Sequence, residues 1–205
     1  MLTHIRHSEK VFNMKRLLLI LILTFSLQSL TRADDIRDFE IEGISVGDSL
    51  LDYFSLSEIK RFDDYDDLPS NMKFRIATIT KKKFNKINTY DSITFYYKPG
   101  DEDFIIHAIG GNLFCKNDEC KKLYKEIKND FLKEYKGTES VHKHPDDKSG
   151  KSITTIYTIK IDEGSILILY NSMSKNVKWV NDVSVEISRS EVDEWIRNKW
   201  GLGLK

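Results

Sequence analysis

Six strand-like segments, gathered into two groups of three around one amphipathic helix, leave this chain few folds to adopt. Phe74, Ile76 and Thr78 alternate with Arg75 and Ala77; Ile93, Phe95 and Tyr97 with Thr94 and Tyr96; Phe104, Ile106 and Ala108 with Ile105, His107 and Ile109. A period of two puts successive side chains on opposite faces, which is the signature of strands with one apolar face. Lys98-Pro99-Gly100-Asp101 supplies Pro and Gly where a tight turn needs them, and Gly110-Gly111 punctuates the end of the group. In the second group, Ile153, Tyr157, Ile159 and Ile161 run to a turn at Asp162-Glu163-Gly164. The unbroken run Ile166–Tyr170 suits a central strand, and Val183, Val185 and Ile187 alternate with serine and glutamate.

Between the groups the period changes. Leu123, Tyr124, Ile127, Phe131 and Tyr135 recur at three and four residues, predicting a helix that ends at Gly137, with its aromatic stripe in the core. Shorter helical pieces are expected after Asp48 and from Ser57, and a last one opens at Ser190, with Asp193 three residues on, and stops at Gly201. The expected class is α+β: an antiparallel sheet of about six strands, in two three-stranded meanders, with helices packed mainly on one face. The similar halves suggest an internal duplication, although no residue-level repeat accompanies it.

The amino terminus reads as an address. Lys15 and Arg16 precede an apolar run from Leu17, and Thr31-Arg32-Ala33 offers the small residues accepted around a cleavage site. The run to Leu27 is broken by Thr24 and Ser26 and falls short of the roughly 20 apolar residues a span requires. Residues 1–33 are therefore read as a signal peptide whose true start is Met14, and 34–205 as a single domain in the periplasm or secreted, with no membrane span after cleavage. No Cys near the cut offers a lipid anchor. The whole chain has 32 basic and 32 acidic residues; the leader carries five basic and one acidic, so the mature part has 27 against 31 and a net charge of −4. That balance argues against nucleic acid as a partner.

An exported chain meets an oxidising compartment, so Cys115 and Cys120 are expected to form a disulfide. Their C-x4-C spacing is not the C-x-x-C of a redox pair. His142 and His144 could begin a metal site, with Asp146 and Asp147 behind them and His107 as a distant third ligand. Asp63-Asp64-Tyr65-Asp66-Asp67 lacks the spacing of a calcium loop and reads as a solvated acidic loop. Ser149-Gly150-Lys151-Ser152 ends like a P-loop, but Pro145 stands where the first glycine is required. S-x-x-K occurs at Ser57, Ser70 and Ser172 without the motifs that accompany it in acyl-enzyme hydrolases.

The segments Ala33–Phe54 and His144–Ser152 resemble a family of small exported proteins from marine bacteria with reduced genomes. The resemblance spans the mature chain and implies an exported protein; it brings no assigned activity and no catalytic or binding residues. The stretch I-x-G-I-x-V-G-D, Ile41 to Asp48, is similar to the start of the repeats in beta-lactamase-inhibitor-like and outer-membrane-assembly lipoprotein domains, which implies helices packed on an antiparallel sheet.

The expected function is a non-enzymatic module of the cell envelope, without a cofactor, that binds protein or a small ligand. Tyr96 on the solvent face of the strands and the loop His142 to Ser152, including Asp147 and Lys151, are the expected partner surface. An exported hydrolase and a metal-handling protein built on His142 and His144 are the alternatives. Export makes a direct prediction: intact mass of the precursor should start at Met14 and that of the processed protein at Asp34, and a mature species retaining residues 14–33 would overturn the cleavage reading.

Overall fold

The computed structural model describes residues 35–64, 72–84, 86–144, 147–175 and 180–200. The leader, Tyr65–Asp67 of the acidic run, Ser70, Pro145, Asp146 and Gly201 lie outside them. The described residues fall within one unit, Asp35–Lys205. It opens with a 3-10 turn at Ile36–Asp38, then β1 (Glu40–Ile41) and β2 (Ile44–Ser45), a second 3-10 turn at Leu50–Asp52, and α1 (Leu56–Ile59). Strands β3 (Asp63–Asp64), β4 (Arg75–Thr80), β5 (Ser92–Tyr97) and β6 (Ala108–Phe114) follow. After α2 (Asn117–Phe131) come β7 (Gly137–Lys143), β8 (Ile153–Ile161), β9 (Gly164–Ser172) and β10 (Asp182–Arg189), and α3 (Ser190–Trp200) closes the unit.

The class is α+β, but the sheet is larger than expected. Its order is β3-β4-β5-β6-β10-β9-β8-β7, antiparallel throughout, with seven strands of six residues or more and the two-residue β3 at one edge. Each half is a helix followed by four strands, and the order reads alike from both edges, with β6 and β10 meeting at the centre. The unexpected long strand is β7, Gly137-Thr-Glu-Ser-Val-His-Lys143, which the sequence reading divided between a helix end and a loop. An edge strand pairs on one side only and buries little, so it lacks the apolar alternation that betrays the others.

Gly110 and Gly111 lie inside β6 instead of ending it. A Cβ on Gly111 would stand 2.5 Å from the ring of Tyr90, so glycine is needed there for close packing, not for a turn. Before β6, residues 104–106 pair with the 47–50 segment: Gly47 N–H donates to Ile106 O, Ile106 N–H to Asp48 O and Leu50 N–H to Phe104 O. The Pro99-Gly100 turn forms as expected, with Gly100 at φ 76° and Asp101 N–H donating to Lys98 O. Glu42 and Gly43, both at positive φ, make the tight hairpin between β1 and β2. Capping also differs in detail. Ser49, not Asp48, caps the second 3-10 turn, and α1 starts one residue early behind a capping box of Ser55 and Glu58.

Register divides the sheet into two faces. On one, Ala77, Phe95, Ile109, Ile187, Ile166 and Ile159 form a single cross-strand row, with Ile79, Ile93, Gly111, Val185, Ile168 and Tyr157 beside it. The hairpin and α1 cover its first half through Ile41, Ile44, Val46, Leu50, Phe54 and Ile59. Over the second half lies α2, whose Tyr124 ring is 5.9 Å from that of Tyr170 and whose Lys128 ammonium sits over Tyr157. Full burial of each large side chain here contributes about 2 kcal/mol. Cys115 and Cys120 form the expected disulfide, Cα atoms 5.4 Å apart, tying the end of β6 to the first turn of α2; closing so short a loop contributes about 2 kcal/mol on the chain-entropy estimate.

Among the described helices only α3 lies on the opposite face, where Val192, Trp195 and Ile196 pack on Phe74, Tyr96 and Ala108. None of the helices among the described residues is long and apolar enough to cross a membrane. The two central glycines should respond differently to a methyl group. Gly111→Ala forces Tyr90 to move and should cost about 1–3 kcal/mol in urea unfolding. Gly110→Ala places its Cβ at an ordinary 3.8 Å from Glu186 and should cost less. Equal losses would contradict the assigned packing.

Candidate functional site

The face that carries α3 is polar where the other is apolar. Next to α3, one row runs Thr78, Thr94, Gly110, Glu186, Leu167, Thr158 and Thr138. The row beyond is Thr80, Ser92, Asn112, Ser184, Leu169, Ile156 and Ser140, and the last is Asp182, Asn171, Thr154 and His142. Small hydroxyl and amide side chains thus occupy the middle of a wide sheet, where burial ordinarily selects apolar residues.

These groups are bonded to one another across strands. Thr78 and Thr94 hydroxyls are 3.1 Å apart, and Asn112 Nδ2 donates to Ser92 Oγ at 3.1 Å. Along the last row Thr154 Oγ1 donates to Asn171 Oδ1 at 2.7 Å while Asn171 Nδ2 donates to Asp182 Oδ1 at 3.1 Å. Next in register to Thr154 is His142, whose Nε2 lies 2.9 Å from Ser140 Oγ. Half-buried Thr78, Thr94, Asn112, Thr154 and Asn171 surround the more deeply buried Ser184 and Asp182.

Asp182 and Glu186 stand in this face. Burial pushes Asp182 up to about 6 against the pull of its Asn171 hydrogen bond. Burial, and then the charge of Asp193, pushes Glu186 up to about 7, although the Tyr96 hydroxyl bonds it. Its Oε1 is buried and has no hydrogen-bond partner, an arrangement that costs stability unless another group completes it. Gly110 on one side and Leu167 on the other flank Glu186 in register and bring no side-chain donor. Asp193, in the first turn of α3, accepts from Lys160 Nζ at 2.7 Å.

A second charged cluster lies at the start of α3. Nδ1 of buried His107 stands 2.9 Å from Glu191 Oε1, within ion-pair reach but off the line of a good hydrogen bond. Lys98 and Lys73 approach the same carboxylate at 3.3 and 3.4 Å. Burial raises the Glu191 carboxyl, but the two lysines and His107 outweigh it and hold the group below its ordinary value. Burial, then Lys98, lowers the His107 imidazole in spite of Glu191.

The residues expected to form a site are placed apart. His107 enters β6, whereas His142 sits on β7, four strand positions away in the sheet, or about 19 Å. It therefore does not complete a site with His142 and His144, and no group of three His, Cys, Asp or Glu side chains converges among the described residues. Tyr96 projects to the face opposite the main core, where α3 half-buries it and its hydroxyl bonds Glu186.

Asp147 is likewise withdrawn. It is 6 % exposed, with Oδ1 accepting from Ser149 N and Oγ and Oδ2 from Ser152 N and Oγ and Ser174 Oγ, at 2.6–2.9 Å. Those donors, first the Ser149 and Ser152 hydroxyls, hold its carboxyl far below the usual range. The carboxylate therefore organises the loop, and the same serines that resembled a phosphate loop bond to it. Lys151 remains exposed.

The raised carboxyl has a measurable consequence. Folded protein holds the Glu186 proton up to about pH 7, whereas the unfolded chain releases it near 4.3, so native protein binds more protons between those values and loses stability as pH rises through them. Glu186→Gln should therefore stabilise at pH 8 by on the order of 2 kcal/mol and have little effect at pH 4, read by urea unfolding. The same gain at both pH values would remove the assigned burial of the charge. No family model was found to match this chain, nor a curated protein or a solved structure.

Proposed function

We propose that the protein is an exported, non-enzymatic binding module that engages a protein or small ligand of the cell envelope through the polar sheet face. The observation that carries this reading is the rows of threonine, serine and asparagine beside Asp182 and Glu186. A sheet whose stability is supplied by one apolar face has no structural need to bury carboxyls in the other. Groups that are costly to desolvate and incompletely bonded mark a face shaped for something besides folding. Hydroxyl and amide side chains both donate and accept, which suits a polar ligand surface rather than an apolar one.

The disulfide supports export, since such pairs persist in oxidising compartments. Tagged mature protein recovered from its native envelope should carry a protein or small molecule detectable by mass spectrometry. Thr94→Arg and Asn112→Arg fill the face with long cations and should reduce that recovery about tenfold with circular dichroism unchanged, while Lys151→Glu leaves it intact. Equal recovery by wild type and both face variants would overturn the proposal.

A further inference from the structure

The two edges of the sheet are unlike. One is the two-residue β3, whereas the other is the seven-residue β7, without proline and paired only with β8 among the described strands. Beyond the strand, His144 N–H donates to Ser152 O, its partner in the continued β7–β8 register. In an antiparallel ladder, residues whose backbone groups face one neighbour alternate with residues facing the other way. Thr138, Ser140 and His142 therefore spend their backbone groups on β8, and Glu139, Val141 and Lys143 direct theirs outward.

Long free edges are usually blocked by charge, and β7 does carry charged residues. Their arrangement is nevertheless self-complementary. Val141, 60 % exposed, is flanked on the same side of the strand by Glu139 and Lys143, of opposite sign. Laid antiparallel on a second copy about Val141, the strand places Val141 opposite Val141, Glu139 opposite Lys143 twice, and Ser140 opposite His142 twice. The three outward residues of each copy then exchange six backbone hydrogen bonds. Glu139 is already positioned for this, because Lys128 Nζ and the Tyr124 hydroxyl both bond its Oε2, at 2.5 and 2.8 Å.

The geometry points to β7 as a homodimer edge, at which a second copy of this chain continues the eight-stranded sheet in the register centred on Val141. A two-fold axis through that residue accounts for the signs of both flanking charges, which a single-sign partner segment would not match. This assignment stands apart from the ligand reading of the sheet face.

Analytical ultracentrifugation of the mature, disulfide-intact protein tests it. Wild type should dimerise with concentration. Val141→Pro removes an outward N–H that β8 does not use, so the fold should survive by circular dichroism while the dimer is lost. Lys143→Glu and Glu139→Lys each set like charges opposite one another and should weaken self-association about tenfold, whereas an equimolar mixture of the two restores both attractive pairs and should form the heterodimer. Wild type that stays monomeric to its solubility limit would overturn the assignment, as would Val141→Pro dimerising as tightly as wild type, or charge variants that lose their homodimers and fail to associate when mixed.

Discussion

The pairing of β6 with β10 is the interaction on which the rest of the fold depends. Seven residue pairs, from Ser188 opposite Ala108 to Asp182 opposite Phe114, join two meanders that would otherwise each present an open edge. In this register the apolar rows of the two halves fall on the same face, and the hairpin, α1 and α2 cover one continuous floor. A shift of one residue at this seam would turn Val183, Val185 and Ile187 to the α3 face and bring Glu186 into the core. The glycines of β6 belong to this constraint. Gly111 admits Tyr90 on the apolar face, and Gly110 leaves the flank of Glu186 open on the polar one.

Carboxylates that accept several donors at once hold the segments that hydrophobic burial leaves loosely specified. Glu42, at the tip of the β1–β2 hairpin, accepts the backbone N–H groups of Asn88, Thr89 and Tyr90 on one oxygen, at 2.5–3.1 Å. That fastens the amino-terminal hairpin to the loop before β5. Asp147 does the same between β7 and β8, drawing Ser149, Ser152 and Ser174 onto one side chain. In both places polar backbone that water would otherwise have to satisfy finds a fixed acceptor, and hydrogen bonds to a charged acceptor are stronger than those between neutral groups. Glu186 has the opposite character: burial dominates, its bonding is incomplete, and its carboxyl rises instead of falling.

What could be read in advance follows from how far apart the relevant residues are. Alternation within a strand is local, so Phe95 and Val185 announced both their strands and their buried face, while the unbroken run through Ile168 announced its strand alone. The helical stripe of Tyr124, Ile127 and Phe131 was equally plain, as was the proximity of Cys115 and Cys120. β7 was hidden because its one large apolar residue, Val141, sets no period, and Gly110-Gly111 looked like a terminus because a glycine required for packing is indistinguishable in one dimension from one required for a turn. The parity of Tyr96 was legible, but its cover by α3 was not. The polar rows were invisible for a stronger reason. Thr94 and Glu186 lie 92 positions apart in the chain and become neighbours across Gly110 only through two successive registers.

Separation of the two faces has an energetic consequence for how this protein can change. Substitutions under the hairpin and α2 remove packing that the whole sheet shares, so truncating Phe95 or Ile109 is expected to cost several kcal/mol, about 2–5 for a large buried side chain. On the α3 face the neighbours are hydroxyls and amides already exchanging hydrogen bonds in pairs, and an isosteric replacement of both members of a pair such as Thr78 and Thr94 is nearly neutral, whereas replacing one leaves the other without its partner. The polar face can therefore be remodelled pair by pair without loss of the fold. A sheet built this way keeps most of its stability on one side and leaves the other free to change its chemistry.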